Sequence, residues 1–201
     1  MRRATIKRQT KETTITIQLG LDGRGRTTVK TGLPFLDHML TLLGTHGVFD
    51  LAIKAKGDLA VDLHHTNEDL GLALGQAFDQ ALDSRKGIRR FGSAYVPMEE
   101  ALARVVLDFS GRPRLVVRDA RPASVAKRPP ASHGAYQWGD AEHFLESLAR
   151  GARLTLHVDI FSGSDFHHTC EAVFKALGRA LSEASRLDPR VKGVPSSKGR
   201  L

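Results

Sequence analysis

The sequence predicts an α/β fold made of two similar halves, and a repeated motif is the main reason. His-His-Thr-Asn-Glu at residues 64–68 returns as His-His-Thr-Cys-Glu at residues 167–171, and each copy leads into an apolar-periodic helix that carries Ala-Leu-Gly. Before each of these helices, β-branched or apolar residues alternate with polar ones, which is the period of half-buried strands. We therefore expect residues 1–88 and 89–186 to be the halves of one compact domain, with a tail at 187–201.

In the first half, the same two periodicities place each element. Pro34 is typical of the first position of a helix, so a helix should begin there. The glycine-rich run at residues 20–25 is interpreted as a hairpin turn, because its glycine order does not fit a nucleotide-binding loop. Strands are predicted at 4–9, at 13–21, up to 31 and at 49–56, and helices at 35–43 and from 64 to about 82.

The second half begins with β structure, as the first does. Residues 85–90 are the densest basic run and should be a solvated junction between the halves. Residues 121–133 are rich in proline, alanine and basic side chains without periodicity, which indicates an irregular loop. Strands are predicted at 92–97, 101–109, 114–119 and 154–160, and helices at 142–149 and 167–184.

The composition fits a globular protein of ordinary size. The chain has 201 residues, of which 41% are hydrophobic. Residues 1–8 lack the apolar run of a signal peptide and no stretch approaches the length that crosses a bilayer, so we expect a cytoplasmic protein with no membrane partner. A single cysteine, Cys170, excludes an intrachain disulfide and is interpreted as a packing residue.

The net charge of +8 indicates an anionic partner. Nucleic acid and a small phosphorylated molecule both fit that charge. Aromatic residues make up only 6% of the chain and are not interleaved with the basic runs, so the stacking platforms of single-strand and RNA binders are absent from the sequence. We expect no nucleic-acid partner.

Each copy of the repeated motif has the spacing of a metal site. On a helix, His64 and Glu68 lie four residues apart on one face and can hold one ion. His65 is turned by about 100° from its neighbour, so a second ion or a hydrogen-bond partner is its natural use. Two copies indicate two ions, and imidazole with carboxylate suits Mn, Zn or Fe(II). The alternative is that paired histidines simply begin a solvated helix, which two copies make less favourable.

Five segments match the landmarks of a known family in their order along the chain. Through them the chain resembles the imidazoleglycerol-phosphate dehydratase family of histidine biosynthesis over essentially its whole length. The segments are Phe-Leu-Asp-His-Met-Leu at 35–40, the first histidine motif at 64–69, Pro-Met-Glu-Glu-Ala at 97–101, the second motif at 167–176 and Pro-Ser-Ser-Lys-Gly at 195–199.

The resemblance implies a fold, an assembly and an activity. Each half should be a four-stranded sheet with helices on one face, and trimers should build a large octahedral homo-oligomer with active sites between subunits. The enzyme should be a hydro-lyase with two Mn(II) ions per active site. It should remove water from imidazole glycerol phosphate to give imidazole acetol phosphate in L-histidine biosynthesis.

The resemblance also assigns residues to roles. The metal ligands that it implies are His38, His64, His65, Glu68, His143, His167, His168 and Glu171. The catalytic carboxylates are Glu12, Glu68 and Glu171. The substrate-binding residues are Glu12, His38, His46, His64, His65, Glu68, Arg90, Arg112, His167, Lys175, Ser197, Lys198 and Gly199. From helix geometry we pair His64 with Glu68 and His167 with Glu171, and we expect His65 and His168 to cross to the other ion.

The chemistry is difficult because no carbonyl acidifies the proton that must be lost. The substrate's imidazole, as a metal-bound imidazolate, would expel the adjacent hydroxyl to give a diazafulvene. A base, for which we choose Glu12, would then remove the neighbouring C–H to form an enol that tautomerises to the ketone. A dinuclear phosphatase and a metal-storage shell remain the alternatives. The tail either frays or closes over the substrate's phosphate.

Overall fold

The computed structural model describes residues 2–121 and 135–201, so the loop predicted at 121–133 lies outside the described residues apart from Arg121. The elements of the first half are β1 (Arg3–Gln9), β2 (Thr13–Gly20), β3 (Thr27–Lys30), α1 (Pro34–Gly47), β4 (Asp50–Gly57) and α2 (His64–Leu82). Those of the second half are β5 (Phe91–Met98), β6 (Ala101–Asp108), β7 (Arg114–Asp119), α3 (Trp138–Ala152), β8 (Thr155–Ser162) and α4 (Phe166–Ser185). None of the described helices is long and apolar enough to cross a membrane.

The two sheets have the same topology. In the first, the strand order is β1-β2-β4-β3, and in the second it is β5-β6-β8-β7. Within each sheet the first three strands are antiparallel, and the fourth pairs in parallel with its neighbour. The predicted α/β fold with two duplicated four-stranded sheets is confirmed. The boundary between the halves at residue 88 stays a prediction.

The hairpin turn predicted for residues 20–25 is wrong. β2 pairs with β4, and β3 lies on the far side of β4, so the run crosses the end of β4 instead of joining neighbouring strands. The glycines serve this crossing, because a Cβ at Gly23 would lie 2.2 Å from the backbone nitrogen of Asp50. The Asp50 carboxylate fixes the crossing by accepting hydrogen bonds from the backbone N–H groups of Arg24 and Arg26, at 2.9 and 3.3 Å.

The helices of opposite halves pack directly on each other. α2 contacts α3, and α1 contacts α4. The glycine of each Ala-Leu-Gly repeat lies where the helix backbones come close together: a Cβ at Gly75 would lie 2.4 Å from the Leu148 carbonyl oxygen, and one at Gly178 would lie 2.4 Å from the Leu43 carbonyl oxygen. Only glycine allows backbones to come this close. The repeat thus records a helix-packing requirement shared by both halves, and this packing brings helix starts from different halves together.

The basic junction is not a solvated linker throughout. Arg85 is 2% exposed and donates to the backbone oxygens of Phe109 and Ala152, at 3.0 Å each, and to Asp79 at 2.5 Å. A buried guanidinium needs such partners, since an unpaired charge in the interior is costly. Arg85 therefore ties the end of α2 to the second half, which the charge run in the sequence did not reveal.

Candidate functional site

The first candidate metal group lies at the start of α4. It consists of His38, His167 and Glu171, each of which offers a ligand atom within 4.8 Å of the others. The Nε2 atoms of His38 and His167 lie 2.8 and 2.9 Å from Oε1 of Glu171. We name these three residues the α4 group.

Glu171 is held as a carboxylate. Burial opposes its ionisation, but hydrogen bonds with Lys175, His38 and His167 outweigh burial and lower the pKa of Glu171 to about 2. The Nζ atom of Lys175 lies 2.5 Å from Oε2, so the oxygen that faces away from the histidines is already paired with a cation. The side chain is therefore ionised near neutral pH and offers a charged oxygen to a metal ion.

The second candidate group lies at the start of α2. It consists of His64, Glu68 and His143, again with ligand atoms within 4.8 Å of one another. The rings of His64 and His143 stack with their centroids 4.5 Å apart. The Glu68 side chain is 32% exposed, and its nearest cation is Arg150 at 3.9 Å. We name these residues the α2 group.

Each group takes ligands from both halves of the chain. The structure brings together His64 with Glu68, and His167 with Glu171, as the four-residue helix spacing predicted. The third ligand comes from the partner helix: His38 on α1 joins the α4 group, and His143 on α3 joins the α2 group. Sequence spacing alone did not show this, because it follows from the packing of α1 on α4 and of α3 on α2.

The second histidine of each motif lies outside both groups. Nδ1 of His65 is 3.0 Å from the Asp58 carboxylate, and Nδ1 of His168 is 2.8 Å from the Glu100 carboxylate. These hydrogen bonds raise the pKa of both imidazoles. Within one chain, His65 and His168 therefore do not complete the ligand set that their own motifs begin.

The donor set suits a divalent transition metal. Two imidazole nitrogens and one carboxylate oxygen are the ligands of catalytic sites that keep part of the coordination shell open. Each group has this set, and each includes one exposed histidine at or near a helix start. The residues fit two metal ions per chain, one in each group.

Comparison with known proteins decides the family. A family model described as imidazoleglycerol-phosphate dehydratase matches residues 31–181. The imidazoleglycerol-phosphate dehydratase of Geobacillus kaustophilus is 53% identical over 200 residues, which cover 100% of this chain and 99% of the relative. That of Bacillus subtilis is 52% identical over 201 residues, which cover 100% of both chains. The chain belongs to the imidazoleglycerol-phosphate dehydratase family. The predicted family and its dehydratase function in histidine biosynthesis are confirmed.

Solved structures of imidazoleglycerol-phosphate dehydratases share the fold. One from Pyrococcus furiosus, in complex with (S)-C348, has a TM-score of 0.81 and 35% identity, and the match covers 98% of this chain and 100% of that one. The Staphylococcus aureus dehydratase has a TM-score of 0.78 and 34% identity, with 92% and 99% of the two chains covered. The duplicated architecture is thus that of the dehydratase family.

The residue chosen as the base, Glu12, lies in the turn between β1 and β2. Its carboxylate is 3.8 Å from Nε2 of His65, and its side chain is 51% exposed. The second half carries Glu100 in the matching turn, between β5 and β6, where it contacts His168. The structure thus brings Glu12 close to His65, although it does not bring it into either metal group.

Two of the predicted substrate-binding residues, Lys175 and His46, lie on α4 and α1, the helices that carry Glu171 and His38. Lys175 is one helical turn beyond Glu171. His46 lies near the end of α1, and its pKa is lowered by burial and by the charges of Lys175 and Arg179. A cavity of about 370 Å³ is lined there by His46, Arg89, Arg179 and Arg186, among others. Arg179 was not predicted, although its place one turn beyond Lys175 on the same helix indicates that both side chains lie on one face.

Another predicted substrate-binding residue, Arg90, lies near the far end of α4. The Arg90 backbone N–H donates to the Ala184 carbonyl oxygen. Since Ala184 is thirteen residues after Glu171 on the same helix, Arg90 is roughly 20 Å from the α4 group. Arg90 pairs there with Asp108, through bonds of 2.7 and 2.9 Å, and donates to the Pro195 carbonyl oxygen at 2.8 Å.

The tail is attached to the same region as Arg90. Gly87 donates its backbone N–H to the Gly193 carbonyl oxygen at 2.9 Å, and the last residue, Leu201, packs against Gly111 beside Arg112. Ser197, Lys198 and Gly199 are exposed, and the backbone N–H groups of Lys198 and Gly199 donate to Ser196. Within one chain, these predicted contacts and Arg112 are not brought together with the metal groups.

Proposed function

We propose that this chain dehydrates imidazole glycerol phosphate to imidazole acetol phosphate, with two Mn(II) ions in each active site. The observation that carries the proposal is the pair of metal groups, each with two histidines and a glutamate, completed across the two halves. A single-metal hydrolase would not need the ligand pattern twice. A cytoplasmic location stays a prediction.

The α4 group and the α2 group would each hold one ion. His65 and His168 would complete the shells, each from a neighbouring subunit, because neither reaches a group in its own chain. This arrangement uses all eight predicted ligands. Glu68 and Glu171 would serve as the charged ligand of each ion, and their carboxylates would offset the ions' positive charge in a partly enclosed site.

Metal ions bound there would act as Lewis acids that favour the anionic form of the substrate's imidazole ring. The carboxylate of Glu12 would transfer the proton. Glu12 lies in an exposed turn beside His65, so a subunit that lends His65 to a neighbour would deliver Glu12 to the same site. There it would take the C–H proton next to the departing hydroxyl.

The substrate's phosphate would lie beside the α4 group. Lys175 and His46 would contact it from one subunit. A second set of residues, near the far end of α4 in another subunit, would contact it from the other side. The second set consists of Arg90, Arg112, Ser197, Lys198 and Gly199. The separation of roughly 20 Å between Arg90 and the α4 group within one chain supports this sharing.

The assembly that we propose follows from this sharing. Active sites between subunits need a closed oligomer in which every chain both lends and receives residues. An octahedral shell built from trimers meets that need. Exhaustive chelation should then reduce the particle size measured by light scattering, because the ions would join ligands from different chains. A metal-free particle of unchanged size would show that the ions do not bridge subunits.

One assay tests the function. Protein loaded with Mn(II) is incubated with imidazole glycerol phosphate, and imidazole acetol phosphate and inorganic phosphate are measured in parallel. We expect the ketone without release of phosphate. Release of inorganic phosphate would assign the metal groups to a phosphatase, and bound metal without any turnover would assign them to storage.

A further inference from the structure

The second histidine of each motif is held by a carboxylate that sequence analysis did not single out. In the second half, Nδ1 of His168 lies 2.8 Å from Oε2 of Glu100. The other oxygen, Oε1, accepts the backbone N–H groups of Ser164 and Asp165 at 3.0 and 2.8 Å. The two backbone groups bind one carboxylate oxygen and the histidine binds the other, so the carboxylate is fixed in place before any metal binds.

The same contact occurs in the first half on a different element. Nδ1 of His65 lies 3.0 Å from Oδ2 of Asp58. Asp58 follows β4, whereas Glu100 lies in the turn between β5 and β6. The duplication therefore does not simply copy one residue into both halves. Two positions that do not correspond in the two halves each supply a carboxylate to Nδ1 of the second histidine. This indicates that the contact itself is required.

The chemistry of a carboxylate fixes the proton on the ring. An ionised carboxylate can only accept hydrogen bonds, so Nδ1 must donate. Two backbone N–H groups already donate to Oε1 of Glu100, and such bonds favour the ionised carboxylate. In a neutral imidazole the proton on Nδ1 leaves Nε2 without one, and Nε2 then carries the lone pair that a metal needs.

We propose that Asp58 and Glu100 are positioning residues that orient His65 and His168 so that Nε2 is presented as a metal ligand to a neighbouring subunit. The inference rests on the proposed function, in which these two histidines complete the neighbours' metal shells. It adds the residues that make this possible. A carboxylate behind a ligating histidine sets the ring's tautomer and orientation and raises its basicity.

The two carboxylates differ in how well they are held. Oε1 of Glu100 accepts two backbone N–H groups, while Oδ1 of Asp58 is buried and has no hydrogen-bond partner among the described residues. Glu100 is therefore the better-ordered of the pair. Its removal should perturb its histidine more strongly than removal of Asp58 perturbs His65.

The test compares metal binding in substituted proteins, with full-length protein at each step. Mn(II) affinity and stoichiometry are measured by electron paramagnetic resonance titration of Glu100→Ala, Glu100→Gln and Asp58→Ala. The alanine variants should bind one of the two ions about 10- to 100-fold more weakly. Glu100→Gln keeps one acceptor oxygen, but its NH2 group must then face either Nδ1 or the backbone N–H groups of Ser164 and Asp165, so it should recover only part of the affinity.

Glu99→Gln is the matched control. Glu99 is the exposed neighbour of Glu100 and acts on His168 through its charge, whereas Glu100 accepts a hydrogen bond from His168. This variant should bind both ions as the unsubstituted protein does. Thermal unfolding of the metal-free proteins is measured alongside, and a change in Mn(II) affinity at unchanged unfolding temperature separates positioning from a merely structural role.

Two outcomes distinguish a failure of this inference from a failure of the proposed function on which it rests. If His168→Ala loses an ion while Glu100→Ala binds both ions normally, the positioning inference is wrong and the ligand assignment stands. If His168→Ala itself keeps both ions at full affinity, the ligand assignment of the proposed function is wrong. Equal weakening in Glu99→Gln and Glu100→Gln would reduce the effect to charge alone and overturn the inference.

Discussion

The α4 group and the α2 group have the same ligand types but differ in the surroundings of their glutamates. Glu171 is nearly buried, has both histidines within 2.9 Å and is paired with Lys175 at 2.5 Å. Glu68 is about one-third exposed, and Arg150 approaches it only to 3.9 Å. The residue four positions after Glu171 is Lys175, whereas the residue four positions after Glu68 is Leu72.

This difference separates what the duplication conserves from what it does not. Both halves keep the two histidines and the glutamate of a metal group, and both keep the helix-packing glycine. Only the second half adds a row of cations, Lys175 and Arg179, along its helix. The two ions that we propose could therefore be equivalent, while a phosphorylated substrate would find cations along the motif helix only on the α4 side.

The largest effect should come from removing one histidine of either group. His64→Ala and His167→Ala should each cost one ion per chain, and turnover should fall about a thousandfold or more, since a lost Lewis acid is worth several kcal/mol. Elemental analysis and the ketone assay measure both. His157→Ala, at an exposed position of β8 outside both groups, is the control. Full metal content and activity in His64→Ala or His167→Ala would mean that the replaced histidine is only a solvated residue at a helix start.

Deleting residues 196–201 should spare both metal groups and reduce turnover severely. The deletion leaves the hydrogen bonds from Gly87 to Gly193 and from Arg90 to Pro195, so the attached part of the tail stays in place. What is lost is the exposed end with Lys198, which would close over the phosphate and exclude water. Metal analysis and steady-state kinetics distinguish the two effects. Normal kinetics in the shortened protein would mean that this end does not act in the reaction.

Lys175→Ala should weaken substrate binding by about 2–5 kcal/mol, because a desolvated cation that pairs with phosphate is lost. The matched variant at the corresponding position of the first motif, Leu72→Ala, should leave the KM nearly unchanged. Kinetics with the substrate, and binding of an analogue that lacks the phosphate, measure the effect. If the two variants change the KM equally, or if Lys175→Ala weakens both ligands equally, the phosphate does not lie on the α4 side.

The smallest effect should be on stability and should be alike in both halves. Gly75→Ala and Gly178→Ala each force a Cβ against a backbone oxygen 2.4 Å away, so each should lower the free energy of unfolding by about 1–3 kcal/mol. Chemical denaturation measures this. Gly139→Ala is the control, since a Cβ there meets nothing within 4 Å. Markedly unequal losses would show that the two helix pairs are not packed alike.

The sequence predicted the elements well, because helical and strand periodicities are local. It did not predict which strands pair. The glycines at 20–25 resemble a hairpin turn, yet β4 enters between β2 and β3, and no local signal shows that β4 lies between them. Arg85 was missed for a related reason, since a charge run does not show that one of its members is buried against a distant backbone.

For the site, spacing predicted the pairs within each helix but not the partner from the other helix. His38 and His143 were found through the family resemblance, and only helix packing shows which group each one joins. Asp58 and Glu100 had no signal in the spacing of the histidine motif. Glu100 could have been found from its turn, because the same turn of the first half carries Glu12.

The exchange of ligands between the halves has a consequence for the history of the chain. The first half by itself holds His64 and Glu68 but lacks His143, and the second holds His167 and Glu171 but lacks His38. A half-length ancestor could not have closed either group alone. It would have had to pair with a second copy of itself, helix start against helix start, and fusing the two copies would have turned a concentration-dependent partnership into a permanent one.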